Sequence, residues 1–319
     1  MKHRLKHLSK HLKTEWQLYV LLIPMLIWFV LWVYKPMGGL LIAFKQYEPI
    51  KGVMGSSFVG LYNFKQLMFS SAFGAQFWTA FRNTLLINMY GLVFGFPVPI
   101  ILALFFSEIS KESFRKFSQT VLYLPHFLSE VTITGIVLTL LYHGVDQTGM
   151  LASMIYKINI FGHQLVQPGT KILETARYFR PMYIITGLWK ESGYNSIVYF
   201  AAIMGVSPVL YEALKVDGGN KWQEIRFVTL PGMAPTLIIM LVLRIGRMLS
   251  VGYERVLLLY NTNVYSTADV LSTFVYRIGL EGTNKSLAGA ADMFNAIIGF
   301  ILVIGANFIS RRVSDTSLW

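Results

Sequence analysis

Between Thr84 and Phe106 the chain runs the length of a bilayer crossing without one charged side chain. A helix needs about 20 apolar residues to cross the hydrocarbon layer. Inside lipid each backbone N–H and C=O must find its partner within the segment, so such a run can only be a helix or part of a closed barrel. Five further segments read the same way: Leu18–Tyr34, Thr120–Tyr142, Met182–Val206, Thr236–Tyr253 and Ala288–Ile309. Their lengths are helical, far above the 9–11 residues of a barrel strand. The expectation is an all-α polytopic membrane protein with about six transmembrane helices. Pro97 and Pro99 are expected to kink the second span, because proline removes a backbone donor and clashes with the preceding turn.

The rest of the composition agrees. Only 14% of the residues are charged and mean hydropathy is +0.52, well outside the range of ordinary soluble domains. The net charge of +12 could point to nucleic acid, but much of it flanks apolar spans, where it sets membrane orientation. No nucleic-acid partner is expected. The absence of cysteine excludes disulfide frameworks and thiolate metal sites.

Basic residues also orient the chain. Residues 1–17 carry Lys2, Arg4, Lys6, Lys10 and Lys13 with no acid before Glu15, and read as a cytosolic tail against anionic lipid. The apolar run that follows is long and ends at Lys35-Pro36 instead of a small-residue cleavage site, which argues against a signal peptide. The short segments 107–119, 207–231 and 310–319 are rich in Lys and Arg. The longer segments 35–83, 143–181 and 254–287 carry their basic residues more sparsely, so they are placed outside. This gives a transmembrane domain over 18–310, a tail at 311–319 and cytosolic N- and C-termini.

One cytosolic segment is unlike the others. Ser207–Pro235 reads as two short helices separated by Gly218-Gly219. Ser207 and Pro208 suit the start of the first helix, and Asn220 with Gln223 forms a capping-box pattern for the second. Pro231 is expected to follow its last turn. Within it stand Glu212, Ala213 and Leu214, then three residues, Gly218, nine residues, Val228, Thr229, Leu230 and Pro231. This spacing resembles the cytoplasmic "EAA" loop of permease subunits in binding-protein-dependent ABC importers, with Leu214 and Val228 as the only departures. Gly60-Leu61-Tyr62-Asn63-Phe64 and the stretch Tyr265–Leu280 resemble segments of the sugar and polysaccharide branch of that family.

The resemblance implies a type I ABC importer permease fold in a bacterial inner or plasma membrane. It implies a second permease, usually a different chain, two cytosolic ATPase subunits that hold ATP and Mg, and an extracytoplasmic solute-binding protein. This chain would hold no cofactor, consistent with the lack of a Walker Gly-Lys-Ser/Thr loop, and would not be an enzyme. The ATPase-docking set would be Glu212, Ala213, Leu214, Asp217, Gly218, Leu230 and Pro231.

Charges inside the spans need partners or water. Glu130, Arg244 and Arg247 fall at similar depth when counted along their helices, so a structural Glu130–arginine ion pair is one open reading, with Arg244 and Arg247 on one helical face. Trp189, Tyr194, Asn195 and Tyr199 lie near Lys190 and Glu191, where they can stack on and hydrogen-bond a sugar or form an interfacial aromatic belt. These residues with Glu130, Arg244 and Arg247 make the candidate pathway. His126 and Glu130, four apart, could hold a metal but lack further ligands, so no metal site is expected. No nucleophile–base set for a hydrolase stands out. Two readings of the cargo chemistry stay open: arginines that only balance Glu130, or arginines that meet an acidic glycan. An ion-coupled secondary transporter using Glu130, Arg244 and Arg247 is the alternative to the importer, but it leaves the Glu212 elbow without a role.

Overall fold

The computed structural model describes residues 15–142, 144, 148–160, 163–249 and 251–313, so most of the basic tail at 1–17 and the end of 311–319 lie outside the described residues. Among the described residues four helices are long and apolar enough to cross a membrane unaided: α1 (Trp16–Phe44), the α2–α3 rod (Gly74–Gly95 and Pro97–Glu108), α8 (Lys221–Gly246) and α11 (Lys285–Val313). Two bent pairs complete six. The pair α4 (Glu112–Tyr123) and α5 (Glu130–Leu141) bends by 98°, and α6 (Ala176–Met204) meets α7 (Pro208–Val216) at 68°. Two short antiparallel hairpins are the only strands among the described residues: Lys45–Gln46 with Ser57–Phe58, and Asn159–Ile160 with His163–Gln164.

Two expected span boundaries are corrected. The first span does not stop at Lys35-Pro36 but continues to Phe44, and the fifth begins at Lys221, well before Thr236. Both corrections have one cause. A π turn, Val30–Tyr34, stands two residues before Pro36, and another, Ile225–Thr229, stands two residues before Pro231. Widening the turn relieves the clash between a proline ring and the carbonyl four residues back, so the helix absorbs the proline instead of ending. Pro231 therefore lies inside a helix and terminates nothing.

The third expected span, Thr120–Tyr142, is broken. Pro125 sits in a 3₁₀ turn (Leu124–Phe127), Leu128 and Ser129 are extended, and the Ser129 hydroxyl accepts from the Thr132 amide at 3.1 Å to cap α5. A capping hydroxyl satisfies a donor that a continuous helix would have used, so the restart is stable.

The packing is built on α6, which lies along α3 on its inner half and touches α2, α4 and α8. Ala103, Tyr199, Ile203 and Met233 form one core there. A second, from Ala43, Phe77, Phe274 and Leu287, ties the end of α1 to α2 and α11. The segment 254–287, expected as an external loop, is folded into short helices that include α9 (Tyr253–Leu259) and α10 (Leu271–Tyr276), and Val256, Val264, Ala268 and Val270 are fully buried. Packed against α2 and α6, it forms a plug. Asn83 of α2, itself 0% exposed, holds it by donating to the carbonyls of Ser266 (3.2 Å) and Asp269 (2.9 Å). Arg277 forks onto Asp269 at 2.9 and 2.6 Å. That carboxylate raises the arginine's pKa further. Asn63, in the sugar-type pentapeptide, is buried and donates to Ala43 O and Lys45 O, pinning the chain as it leaves α1.

Candidate functional site: an elbow and a charged cavity

The elbow forms as two helices about Gly218. Helix α7 ends in a full reciprocal cap: the Gly219 amide donates to Leu214 O at 2.9 Å and the Gly218 amide to Lys215 O at 3.1 Å. This pattern needs a left-handed residue after the helix, and Gly218 supplies it with φ +75°. Gly219 sits against the Leu214 side chain, where a Cβ would collide with Leu214 Cδ1 at 2.7 Å. The capping box is present, with the Asn220 side chain accepting from Gln223 N at 3.0 Å and Gln223 Oε1 accepting from Asn220 N at 2.8 Å. Ser207 occupies its cap position without a side-chain cap bond. Lys221 ties the elbow to the end of α3 through Glu108 at 2.9 Å and to Glu224 at 3.0 Å.

What the elbow presents is an acid among exposed apolar groups. Glu212, Ala213 and Asp217 are exposed, as are Val209, Leu210, Val216 and Trp222, and among the described residues no cation pairs with Glu212. Leu214 is half-buried beneath the turn, and Leu230 and Pro231 lie in α8. A soluble surface would not leave this apolar strip open.

From Asn195, nine residues up α6 from its elbow end at Met204, the helix lines a second feature. A cavity of about 190 Å³ lies between α2 (Ile87, Asn88, Gly91, Gly95), α6 (Glu191, Ser192, Asn195), Arg244 of α8 and Arg255 of α9. Of the readings left open, a Glu130 pair with Arg244 or Arg247 is not what the structure shows. Glu130 binds Arg255 through both oxygens, at 2.9 Å (Nε) and 2.7 Å (Nη2), and Lys190 at 2.8 Å. Arg255 was missed because it lies beyond the apolar run, in what looked like an external loop. Glu191 takes His126 Nδ1 at 2.9 Å, and the His126 ring stacks on Tyr194 at 3.8 Å, 3° from parallel. His126 and Glu130 do not share a helical face, because the break at Ser129 separates them.

Arg244 has a different task. Pro99 lacks the N–H that would ordinarily reach Gly95 O, leaving that carbonyl without its helical donor. Arg244 Nη1 donates to Gly95 O at 3.1 Å and Nη2 to Gly91 O at 2.7 Å. A Cβ at Gly95 would strike this guanidinium. Among the described residues no carboxylate pairs with Arg244, so its charge is left facing the cavity. Arg247 does not share its face: it lies past the end of α8 and is exposed. Asn195 lines the same cavity. Tyr199 is 3% exposed and packs edge-on to Phe96 in the core. Trp189 lines a separate, mainly apolar hollow with Val137, Leu151 and Met182.

Residues 95–314 match a family described as binding-protein-dependent transport system inner membrane component. The chain belongs to this family. Among relatives of the permease, the protein LplB of Bacillus subtilis (strain 168) is 36% identical over 97% of this chain and 92% of its own length. The polygalacturonan/rhamnogalacturonan transport system permease YteP of the same organism is 36% identical, covering 100% and 95%. A solved bacterial ABC transporter involved in import of the acidic polysaccharide alginate superposes with a TM-score of 0.84 at 42% identity, over 97% of this permease and 99% of that chain. The permease thus has the type I ABC importer fold, is a multi-span inner membrane component and is a transport component. The ion-coupled transporter reading gives way to that membership.

Proposed function

We propose that this permease forms, with a second and different permease chain, the membrane pathway for an acidic oligosaccharide or polysaccharide fragment. Two separate ATPase subunits, which bind ATP and Mg, dock on the elbow 207–231 through Glu212, Ala213, Leu214, Asp217 and Gly218. Leu230 and Pro231 carry the motion into α8. An extracytoplasmic binding protein delivers cargo to the opposite end, and both termini are cytosolic. The pathway set is the cavity with Asn195 and Arg244, backed by the Glu130 cluster. Of the other candidates, Tyr194 is presented beside His126, Trp189 opens to the neighbouring hollow, Tyr199 supports α6 from the core and Arg247 lies beyond α8.

The observation that carries the cargo chemistry is Arg244, a cavity-lining cation whose hydrogen-bond partners among the described residues are carbonyls and no carboxylate. A planar guanidinium suits a carboxylate, and two relatives are named for acidic polysaccharides. A related solved structure is a complex with an alginate pentasaccharide-bound periplasmic protein, which supports delivery by such a partner. The test is uptake into proteoliposomes holding the full complex. Acidic oligosaccharides should enter with ATP and binding protein present and outcompete neutral ones. Uptake by this chain alone on a proton or sodium gradient would overturn the reading.

A further inference from the structure

Near the end of α6 remote from the elbow, Arg177 and Arg180 stand one turn apart beside Arg82 of α2, and among the described residues none of the three is in an ion pair. Arg177 and Arg180 lie in the first turns of α6, and Arg82 of α2 is within electrostatic reach of Arg180, as is Tyr90. Arg180 is aimed: the buried Asn83, whose amide nitrogen is occupied by the plug, turns its oxygen to accept from Arg180 Nη2 at 2.8 Å. The Arg180 Nε is buried and makes no hydrogen bond. Like charges within electrostatic reach of one another destabilise the fold, and a buried donor left unmade costs more. The arrangement suits an anion.

Below the cluster runs a groove of about 480 Å³, walled by Tyr90 and Phe94 of α2 and by Pro181, Ile184, Ile185 and Leu188 of α6, with Arg177 and Arg180 at its rim. Ile184 and Leu188 also line the Arg244 cavity, so the two spaces adjoin along α6. From Arg180 to Asn195 the helix advances on the order of 20 Å, room for several sugar rings in line. Aromatic walls suit the apolar faces of sugars.

We propose that Arg82, Arg177 and Arg180 form a second carboxylate subsite at the mouth of the pathway, which receives the leading uronate residues of an acidic oligosaccharide before they reach Arg244. The proposal rests on the acidic-cargo reading above. An anionic lipid headgroup or a carboxylate of the second permease would satisfy the same charges, but only the cargo accounts for a groove that shares the Ile184 and Leu188 wall with the Arg244 cavity.

The test uses the complete complex in proteoliposomes at saturating binding protein, with oligogalacturonates of defined length and their methyl esters, which keep the sugar and lose the charge. Arg180→Gln and the exposed Arg177→Gln should each cut the ratio of acid to ester uptake by about tenfold, the loss of one charge-assisted contact. The loss should be greatest for chains long enough to reach both clusters and should be partly rescued by Arg180→Lys. Arg177, which makes no hydrogen bond among the described residues, keeps the test alive should Arg180→Gln misfold. An unchanged ratio in a parent that does prefer acids would overturn the subsite alone, whereas a parent without that preference would overturn the cargo reading and the subsite together. Equal loss for acid and ester with less anionic lipid retained would assign the cluster to lipid. Separation of the two permeases would assign it to their interface.

Discussion

Arg255 holds Glu130 with two arms, Nε on one carboxylate oxygen and Nη2 on the other, across 125 positions of sequence. The side chains are 11% and 18% exposed, and Lys190 adds a third contact. This knot joins the restart of a broken span to the plug and to the middle of α6, three parts that no continuous apolar run would have connected.

Breaking the knot from one side leaves a charge without its partner. Arg255→Met should lower the stability of the purified permease by about 3 kcal/mol or more, since removal of one member of a buried pair costs more than the pair contributes. Arg255→Met with Glu130→Leu and Lys190→Met should recover much of that loss. Thermal unfolding in detergent or nanodiscs measures both, and a triple variant no better than the single one would contradict the account.

Arg244 is expected to matter structurally only while Pro99 is present. Arg244→Met should destabilise the parent by about 1–3 kcal/mol, the cost of leaving a buried carbonyl unmade. In a Pro99→Ala background, where residue 99 regains its N–H, the same substitution should cost clearly less. A double-mutant cycle reads this coupling directly. Additive effects would show that Arg244 does not stand in for the missing donor. Loss of preference for acidic cargo should persist in both backgrounds.

At the elbow, Gly218→Ala forces a Cβ into the left-handed region and should cost about 1–2 kcal/mol locally. Membrane insertion should be normal, while ATPase stimulation by cargo falls. Glu212→Ala, on an exposed face, should leave thermal stability unchanged and weaken co-purification of the ATPase subunits. Normal transport by both variants would remove the docking role from this segment.

Asn83 is a hub of three hydrogen bonds with no exposed surface. Asn83→Ala should release the plug, destabilising the permease by about 2–3 kcal/mol and raising hydrogen exchange first in residues 262–276. Uniform exchange across the chain would show that the plug is held by its apolar core alone.

Much of this was legible in the sequence. The spans at Thr84–Phe106 and Ala288–Ile309 and the capping box at Asn220 follow from patterns within one helix, and the spacing from Glu212 to Pro231 carried the family. What escaped came from proline and from long range. Pro36 and Pro231 looked like helix ends, because a π turn that absorbs a proline has no sequence signature. Pro125 and Ser129 do break a span, yet the apolar run across them hid it. The partner of Glu130 could not be guessed by depth, because Arg255 comes from a segment outside the apolar runs. The role of Arg244 was out of reach for the same reason: its need is set by Pro99, on another helix.

The carbonyl seat of Arg244 has one further consequence, for the dependence of transport on acidity. A cation balanced by a carboxylate belongs to a pair whose net charge changes when the acid is protonated. Carbonyls of Gly91 and Gly95 take up no proton, and a guanidinium keeps its own across the physiological range. The attraction this seat exerts on an anion is therefore the same in a neutral and in a mildly acid medium, so any loss of uptake on acidification reports protonation of the cargo or of other groups.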